Sequence, residues 1–125
     1  MIVLDASALL ASVQMEPGWE AVESVLDEAA ISAVNYSEAL SKLIEAGMDA
    51  PDAAALLSTL DLRIEPFDTR QAETTAALRV ATRKAGLSLG DRACLALAQS
   101  HGAPVLTTDR AWSRIDVGVE IRQIR

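Results

Sequence analysis

Short apolar runs that are typical of buried strands alternate along this chain with longer helical segments. Residues 2–4 and 104–107 have the continuous apolar character of strands that are covered on both faces of a sheet. Further strands are expected at 30–32, 62–67 and 119–121, the last at an edge. Helices are expected at 7–13, 17–26, 33–46, 51–60, 69–85 and 91–100. This alternation predicts an α/β fold with a small parallel sheet.

Length and composition limit the other possibilities. A chain of 125 residues without repeats or a linker predicts a single domain, 1–125. The lone cysteine, Cys94, excludes a disulfide within the chain and fits a reducing cytoplasm. Asp5 interrupts the first apolar stretch, which also lacks a basic leader, so we expect no secretory signal. No apolar run reaches membrane-spanning length, so we expect no membrane contact.

The net charge of -7 argues against a generic nucleic-acid binder, because such proteins are basic. An acidic chain can still handle nucleic acid if its carboxylates hold cations. The same charge also suits a basic protein partner.

Four acidic residues stand at strand ends or early in helices. Asp5 follows the first strand, Asp109 follows the strand at 104–107, Glu38 lies three residues after Asn35, and Asp91 opens the helix in SLGDRACLALAQ. Binding sites in parallel sheets form beyond the carboxyl ends of the strands, where these acids would meet. Converging carboxylates repel one another unless protons or cations neutralise them.

Hard divalent cations are the natural partners for oxygen ligands of this kind, so the pattern points to Mg²⁺ or Mn²⁺. With one cysteine and one histidine, the chain has no zinc site of the usual Cys/His type. An all-carboxylate site of this kind suits metal-assisted phosphoryl-transfer hydrolysis. Each acid also has a purely structural alternative. Asp5, Asp91 and Asp109 could cap helices, and Glu38 could be a surface residue.

The stretches MIVLDASALL, AVNYSEAL, GDRACLALA and VLTTDRAW, in this order, resemble the PIN-domain ribonucleases. The similarity spans the whole chain and is closest to the VapC-type toxins of bacterial type II toxin–antitoxin pairs. It implies a three-layer PIN-like fold, with helices on both faces of a small parallel sheet. It also implies an acidic quartet that binds Mg²⁺ or Mn²⁺ and performs catalysis, with no organic cofactor: Asp5, Glu38, Asp91 and Asp109. The supporting polar residues would be Ser7, Asn35 and Thr107.

The implied activity is endonucleolytic cleavage of RNA, restrained by a VapB-like antitoxin, and the implied assembly is a homodimer. Arg92 and Arg110 each follow a quartet acid directly, so they are candidates for binding RNA phosphates or an antitoxin carboxylate. A further group of basic residues could contact RNA or form an ordinary solvated helix face, and we favour the solvated face: Arg79, Arg83 and Lys84.

Two other functions remain open from the sequence. A binding module could hold metal, RNA or a protein in the same acidic pocket without turnover. An aspartyl phosphatase is less favoured, because it would need a second Asp where this chain has Ser7.

Overall fold

A computed structural model describes residues 1–125. The strands are Ile2–Leu4 (β1), Ala29–Ser32 (β2), Arg63–Glu65 (β3), Val105–Thr107 (β4) and Ile121–Gln123 (β5). The α-helices are Ala6–Gln14 (α1), Trp19–Glu23 (α2), Ala33–Glu45 (α3), Ala50–Ser58 (α4), Thr69–Ala77 (α5), Arg79–Thr82 (α6) and Leu89–His101 (α7). Two 3-10 helices lie at Leu26–Glu28 and Arg110–Arg114.

All five strands run parallel in one sheet with the order β3-β2-β1-β4-β5, which confirms the predicted α/β class. The central strand β1 pairs with β2 on one side and with β4 on the other. The strand order therefore reverses at β1, and a crevice is expected at the carboxyl ends of β1 and β4.

Side chains of β1 point alternately into two apolar layers. Val3 packs in a cluster with Cys94 and Leu97 of α7. Leu4 packs on the opposite face, in a cluster with Ala8 of α1 and Val22 of α2. Helices therefore cover both faces of the sheet, as the three-layer prediction required. No helix is both long and apolar enough to cross a bilayer.

The prediction of a single helix over residues 69–85 is wrong, because the helix is interrupted at Leu78 and forms two helices, α5 and α6. The Arg92 guanidinium donates a 3.0 Å hydrogen bond to the Thr75 carbonyl, which is the acceptor that Arg79 N–H would use in a continuous helix. A long-range contact thus competes with the helix at the point where it breaks.

Other boundaries differ from expectation as well. The second helix ends at Glu23 rather than at residue 26, and α7 begins at Leu89 rather than at Asp91. The second helix begins at Trp19 rather than at Pro17, because Gly18 has a left-handed conformation, with φ of 97°. The last strand lies at 121–123 rather than 119–121, because Val105 pairs with Ile121 and sets the register. Its position at the sheet edge is as predicted.

We predict that Gly18→Ala is more destabilising than Gly47→Ala. Both glycines have positive φ, so each substitution should cost about 1 kcal/mol of backbone strain. A Cβ on Gly18 would also lie 2.5 Å from the Ile124 carbonyl oxygen, whereas a Cβ on Gly47 would meet nothing within 4 Å. Overpacking should add roughly 1–3 kcal/mol at Gly18 alone. Urea unfolding of both variants measures the difference, and equal losses would contradict the contact with Ile124.

Candidate active site

The site is built around Asp5, which follows β1 directly and is only 5 % exposed. Its Oδ1 accepts hydrogen bonds from Ala8 N–H at 2.8 Å and from Ser7 Oγ at 2.6 Å, and its Oδ2 accepts one from Thr107 Oγ1 at 2.5 Å. The first of these bonds makes Asp5 the N-cap of α1. The carboxylate therefore joins β1, α1 and the end of β4.

No basic side chain neutralises Asp5. The two ion pairs of the structure, Arg63–Glu65 and Arg122–Glu120, lie outside this set of acids. Burial raises the pKa of Asp5 from 3.8 to about 6, although the hydrogen bonds from Ser7, Thr107 and Ala8 lower it, and the charge of Asp91 raises it further. Asp5 thus carries an electrostatic cost that its own hydrogen bonds offset only in part.

Glu38 is held beside the start of α7 by Asn35, which lies one helical turn earlier and is 1 % exposed. The Asn35 side-chain amide donates to Glu38 Oε1 and to the Gly90 carbonyl, both at 2.8 Å. A Cβ on Gly90 would overlap both Glu38 carboxylate oxygens. Asn35 and Gly90 thus bring α3 and α7 together at this carboxylate.

Asp91 lies in the first turn of α7, where it forms a reciprocal capping box with Ser88. Ser88 N–H donates to Asp91 Oδ2 at 2.9 Å, and Asp91 N–H donates to Ser88 Oγ at 3.1 Å. One turn further along, burial raises the pKa of the Cys94 thiol, and the negative charges of Asp5, Asp91 and Glu38 raise it further. These three acids therefore all act electrostatically on one buried thiol.

Asp109 is connected to the site through Thr107, whose hydroxyl donates to Asp5 and accepts from Asp109 N–H at 3.0 Å. Asp109 itself is exposed, and its Oδ1 accepts from Ala111 N–H at 2.9 Å, capping the 3-10 helix. Ser7 makes a second link to this loop, because its hydroxyl accepts from Thr108 N–H at 3.0 Å. The fourth acid therefore lies on the same sheet edge as Asp5.

The structural alternatives for the acids are present in the fold. Asp5 and Asp109 are N-caps, and Asp91 completes a capping box. Capping and convergence are compatible, because a carboxylate has two oxygens and a cap uses one of them.

The donor set fits a hard divalent cation. The converging side chains offer only oxygen atoms, Asp5 lacks a basic partner, and the buried Oδ1 of Asn35 accepts no hydrogen bond. As placed, no three His, Cys, Asp or Glu side chains are grouped closely enough to hold an ion. To bind a cation together, some of these side chains would therefore have to rotate. Glu38 and Asp91 are half-buried and can rotate more readily than the buried Asp5.

The two arginines of the sequence prediction lie in different surroundings. Arg92 is half-buried, and its guanidinium donates to the Thr75 carbonyl. Arg110 is exposed at the start of the 3-10 helix. A contact of either residue with RNA or an antitoxin stays a prediction.

Sequence reasoning missed the roles of Gly90 and Ser88. A glycine inside the first turn of an otherwise strong helix costs stability, so its presence next to Asp91 is a usable signal of close approach. The spacing of Ser88 and Asp91 matches a capping box with Asp in place of Glu.

Comparison with known proteins agrees with this geometry. A family model described as PIN domain matches residues 2–118. The fold is similar to DNA-bound VapBC from Salmonella typhimurium (TM-score 0.78, 21 % identity, 99 % of this chain and 98 % of that chain). It is also similar to VapBC2 from Rickettsia felis bound to a promoter DNA fragment (TM-score 0.76, 17 % identity, 98 % of this chain and 98 % of that chain). A third similar structure is VapBC-5 from Mycobacterium tuberculosis (TM-score 0.65, 25 % identity, 98 % of this chain and 96 % of that chain). No individually curated protein matches the sequence.

We predict that Asp5 makes stability fall as the pH rises in metal-free buffer. Because folding raises its pKa from 3.8 to about 6, the folded protein keeps a proton that the unfolded chain releases. The stabilising contribution is complete below pH 4 and is lost as the pH rises through about 6. The loss should be on the order of 3 kcal/mol.

Chemical denaturation of the wild type and of Asp5→Asn in EDTA, from pH 4 to 7, tests this expectation. The amide is neutral throughout, so the stability advantage of Asp5→Asn should grow with pH. A constant difference between the two proteins would contradict the raised pKa.

We predict that Gly90→Ala displaces Glu38 without unfolding the protein. The overlap involves the end of a flexible side chain, and alanine favours a helix by about 1 kcal/mol over glycine. Gly90→Ala should therefore stabilise the Glu38→Ala background by about that amount, yet be neutral or destabilising in the wild type. A double-mutant cycle by urea unfolding measures the coupling, and additive effects would show that Glu38 does not lie against Gly90.

Proposed function

This chain belongs to the PIN domain family, and from that premise we propose that it is a Mg²⁺- or Mn²⁺-dependent endoribonuclease that acts as a VapC-type toxin. The observation that carries the proposal is the buried carboxylate of Asp5. It has no basic partner, and it lies at the sheet edge where Glu38 and Asp91 converge.

The residues of the site have separable tasks in this proposal. Asp5, Glu38 and Asp91 provide the ligand oxygens, and Asp109 adds a fourth carboxylate at the exposed rim. Ser7 and Thr107 fix the position of Asp5 with hydrogen bonds to both of its oxygens. Asn35 fixes Glu38 with a single hydrogen bond to Oε1. These neutral donors orient the acids without cancelling their charge, which a lysine or arginine would do.

A bound divalent cation would lower the pKa of a coordinated water and offset the charge of the phosphodiester. In the proposed hydrolysis, the water oxygen bonds to phosphorus and one P–O ester bond breaks. The products are one new phosphate end and one new hydroxyl end. The proton released from the attacking water passes through solvent to the leaving oxygen, which becomes the new hydroxyl end. Asp109 lies at the exposed rim where solvent reaches the site.

The proposed partner is a VapB-like antitoxin that blocks the acidic site, and the proposed assembly is a homodimer. The support for an antitoxin partner is that the similar structures are VapBC complexes. A toxin that cleaves cellular RNA would act in the cytoplasm.

A non-catalytic binding module is the second candidate. The observation in its favour is that Asp5, Asp91 and Asp109 all make helix-capping hydrogen bonds, so each has a structural task that needs no chemistry. In that case the pocket would bind metal, RNA or protein without turnover.

We predict that Asp5→Ala and Glu38→Ala each lower RNA cleavage at least roughly 100-fold, because each removes a charge that stabilises the transition state. Glu45→Ala is the matched control, since it removes an exposed glutamate from the same helix as Glu38. Each protein is induced in cells that lack an antitoxin, and the 5′ ends of total RNA are sequenced.

New RNA ends should appear with the wild type and Glu45→Ala but not with the two site variants. Circular dichroism of the purified proteins establishes that each variant is folded. Equal growth arrest by Asp5→Ala and the wild type, with no RNA ends beyond those of uninduced cells, would favour the binding module.

A further inference from the structure

Basic residues are concentrated in a small part of this acidic protein. Of the 11 Lys and Arg residues in the chain, five fall in two short segments: Arg79, Arg83, Lys84, Arg110 and Arg114. The first segment covers α6 and the residues directly after it, and the second is the 3-10 helix that follows Asp109. Such a local excess of positive charge marks a candidate surface for polyanions.

A cavity of about 400 Å³, the largest of four in the structure, lies between these two segments. We name it the α6 groove, and its lining consists of Val80, Ala81, Lys84, Ala85, Arg114 and Ile115. The lining has two cations, four apolar residues and no acid. Val80 is 79 % exposed, although it is a large apolar residue.

The cations of the α6 groove have no acidic partners within the protein. The ion pairs of the structure use Arg63 and Arg122, at the two edges of the sheet. Lys84 and Arg114 are therefore free to bind an external anion, and only solvent needs to be displaced.

Both walls of the α6 groove are connected along the chain to acids of the site. Arg114 ends the 3-10 helix that Asp109 caps, and five residues of such a helix span about 10 Å. Ala85 stands six residues before Asp91. Both Ala85 and Ile115 pack against the apolar cluster that contains α7, the helix that carries Asp91.

We propose that the α6 groove binds the single-stranded RNA segment next to the phosphate that is cleaved. This inference rests on the proposed ribonuclease function. A bound cation would offset the charge at the cleaved phosphate, but the neighbouring phosphates still need cations outside the acidic cluster. Lys84 and Arg114 contact phosphates, while Val80 and Ile115 form an apolar floor for a ribose or base. A positively charged groove that follows the backbone is how single strands are commonly held.

Binding is measured by fluorescence anisotropy in the uncleaving Asp5→Asn protein, with a labelled single-stranded RNA of about 12 nucleotides. Lys84→Ala with Arg114→Ala should weaken binding about tenfold and lower the slope of log affinity against log salt by about 1.4. The matched control, Arg70→Ala with Arg122→Ala, makes the same change in net charge outside the groove. It should change the affinity less than about twofold, because Arg70 faces solvent outside the groove and Arg122 is paired with Glu120.

Lys84→Arg with Arg114→Lys keeps the charges and should retain the affinity, which separates a loss of contact from a loss of folding. Equal weakening by the groove pair and the control pair would overturn the proposal. A labelled oligoglutamate of equal charge tests the other occupant. Loss of peptide binding with unchanged RNA binding would make the α6 groove a protein-binding surface instead.

Cleavage assays of the wild type distinguish this inference from the proposed function. If the wild type binds RNA through the α6 groove but does not cleave it, the proposed nuclease function is wrong and RNA binding in the groove stands. If Lys84→Ala with Arg114→Ala changes neither cleavage nor RNA binding, the proposed nuclease function stands and the proposed role of the α6 groove is wrong.

Discussion

The carboxylate of Asp5 is the constraint on which the site depends. It directly follows the central strand and caps α1 by accepting a hydrogen bond from Ala8 N–H. It also accepts a hydrogen bond from the Thr107 hydroxyl of the neighbouring strand. These bonds fix the position where the strand order reverses. Because all its donors are neutral, the negative charge stays available at the edge of the core. The protein keeps a buried charge whose cost a bound cation would offset.

Structural and chemical roles coincide at the other acids as well. Asp91 accepts from Ser88 N–H through Oδ2, and Asp109 accepts from Ala111 N–H through Oδ1. In each case the second oxygen makes no hydrogen bond within the protein. Capping and ligand binding therefore do not compete, and the cap orients the free oxygen. Local helix chemistry thus prepares the geometry that a cation site requires.

The charge distribution separates the two signs in space. The carboxylates at the sheet edge suit cations, whereas the residues around the α6 groove suit phosphates. A uniform distribution of the same residues would serve neither purpose, because the opposite charges would offset one another locally. The net charge of -7 therefore does not by itself argue against the proposed nucleic-acid binding. The spatial separation of the two signs, which the net value does not record, carries that information.

The sequence alone determined the α/β class and the positions of the four acids at strand ends and helix starts. Both follow from local patterns: continuous apolar strands, and acids that come soon after them or early in the helices. It did not determine the break at Leu78, where the Arg92 guanidinium reaches the Thr75 carbonyl, or the register that moved the last strand by two residues. The close approach of Gly90 to Glu38 and the α6 groove were also outside its reach. Each of these depends on residues far apart in the chain, and only tertiary packing decides which of them meet.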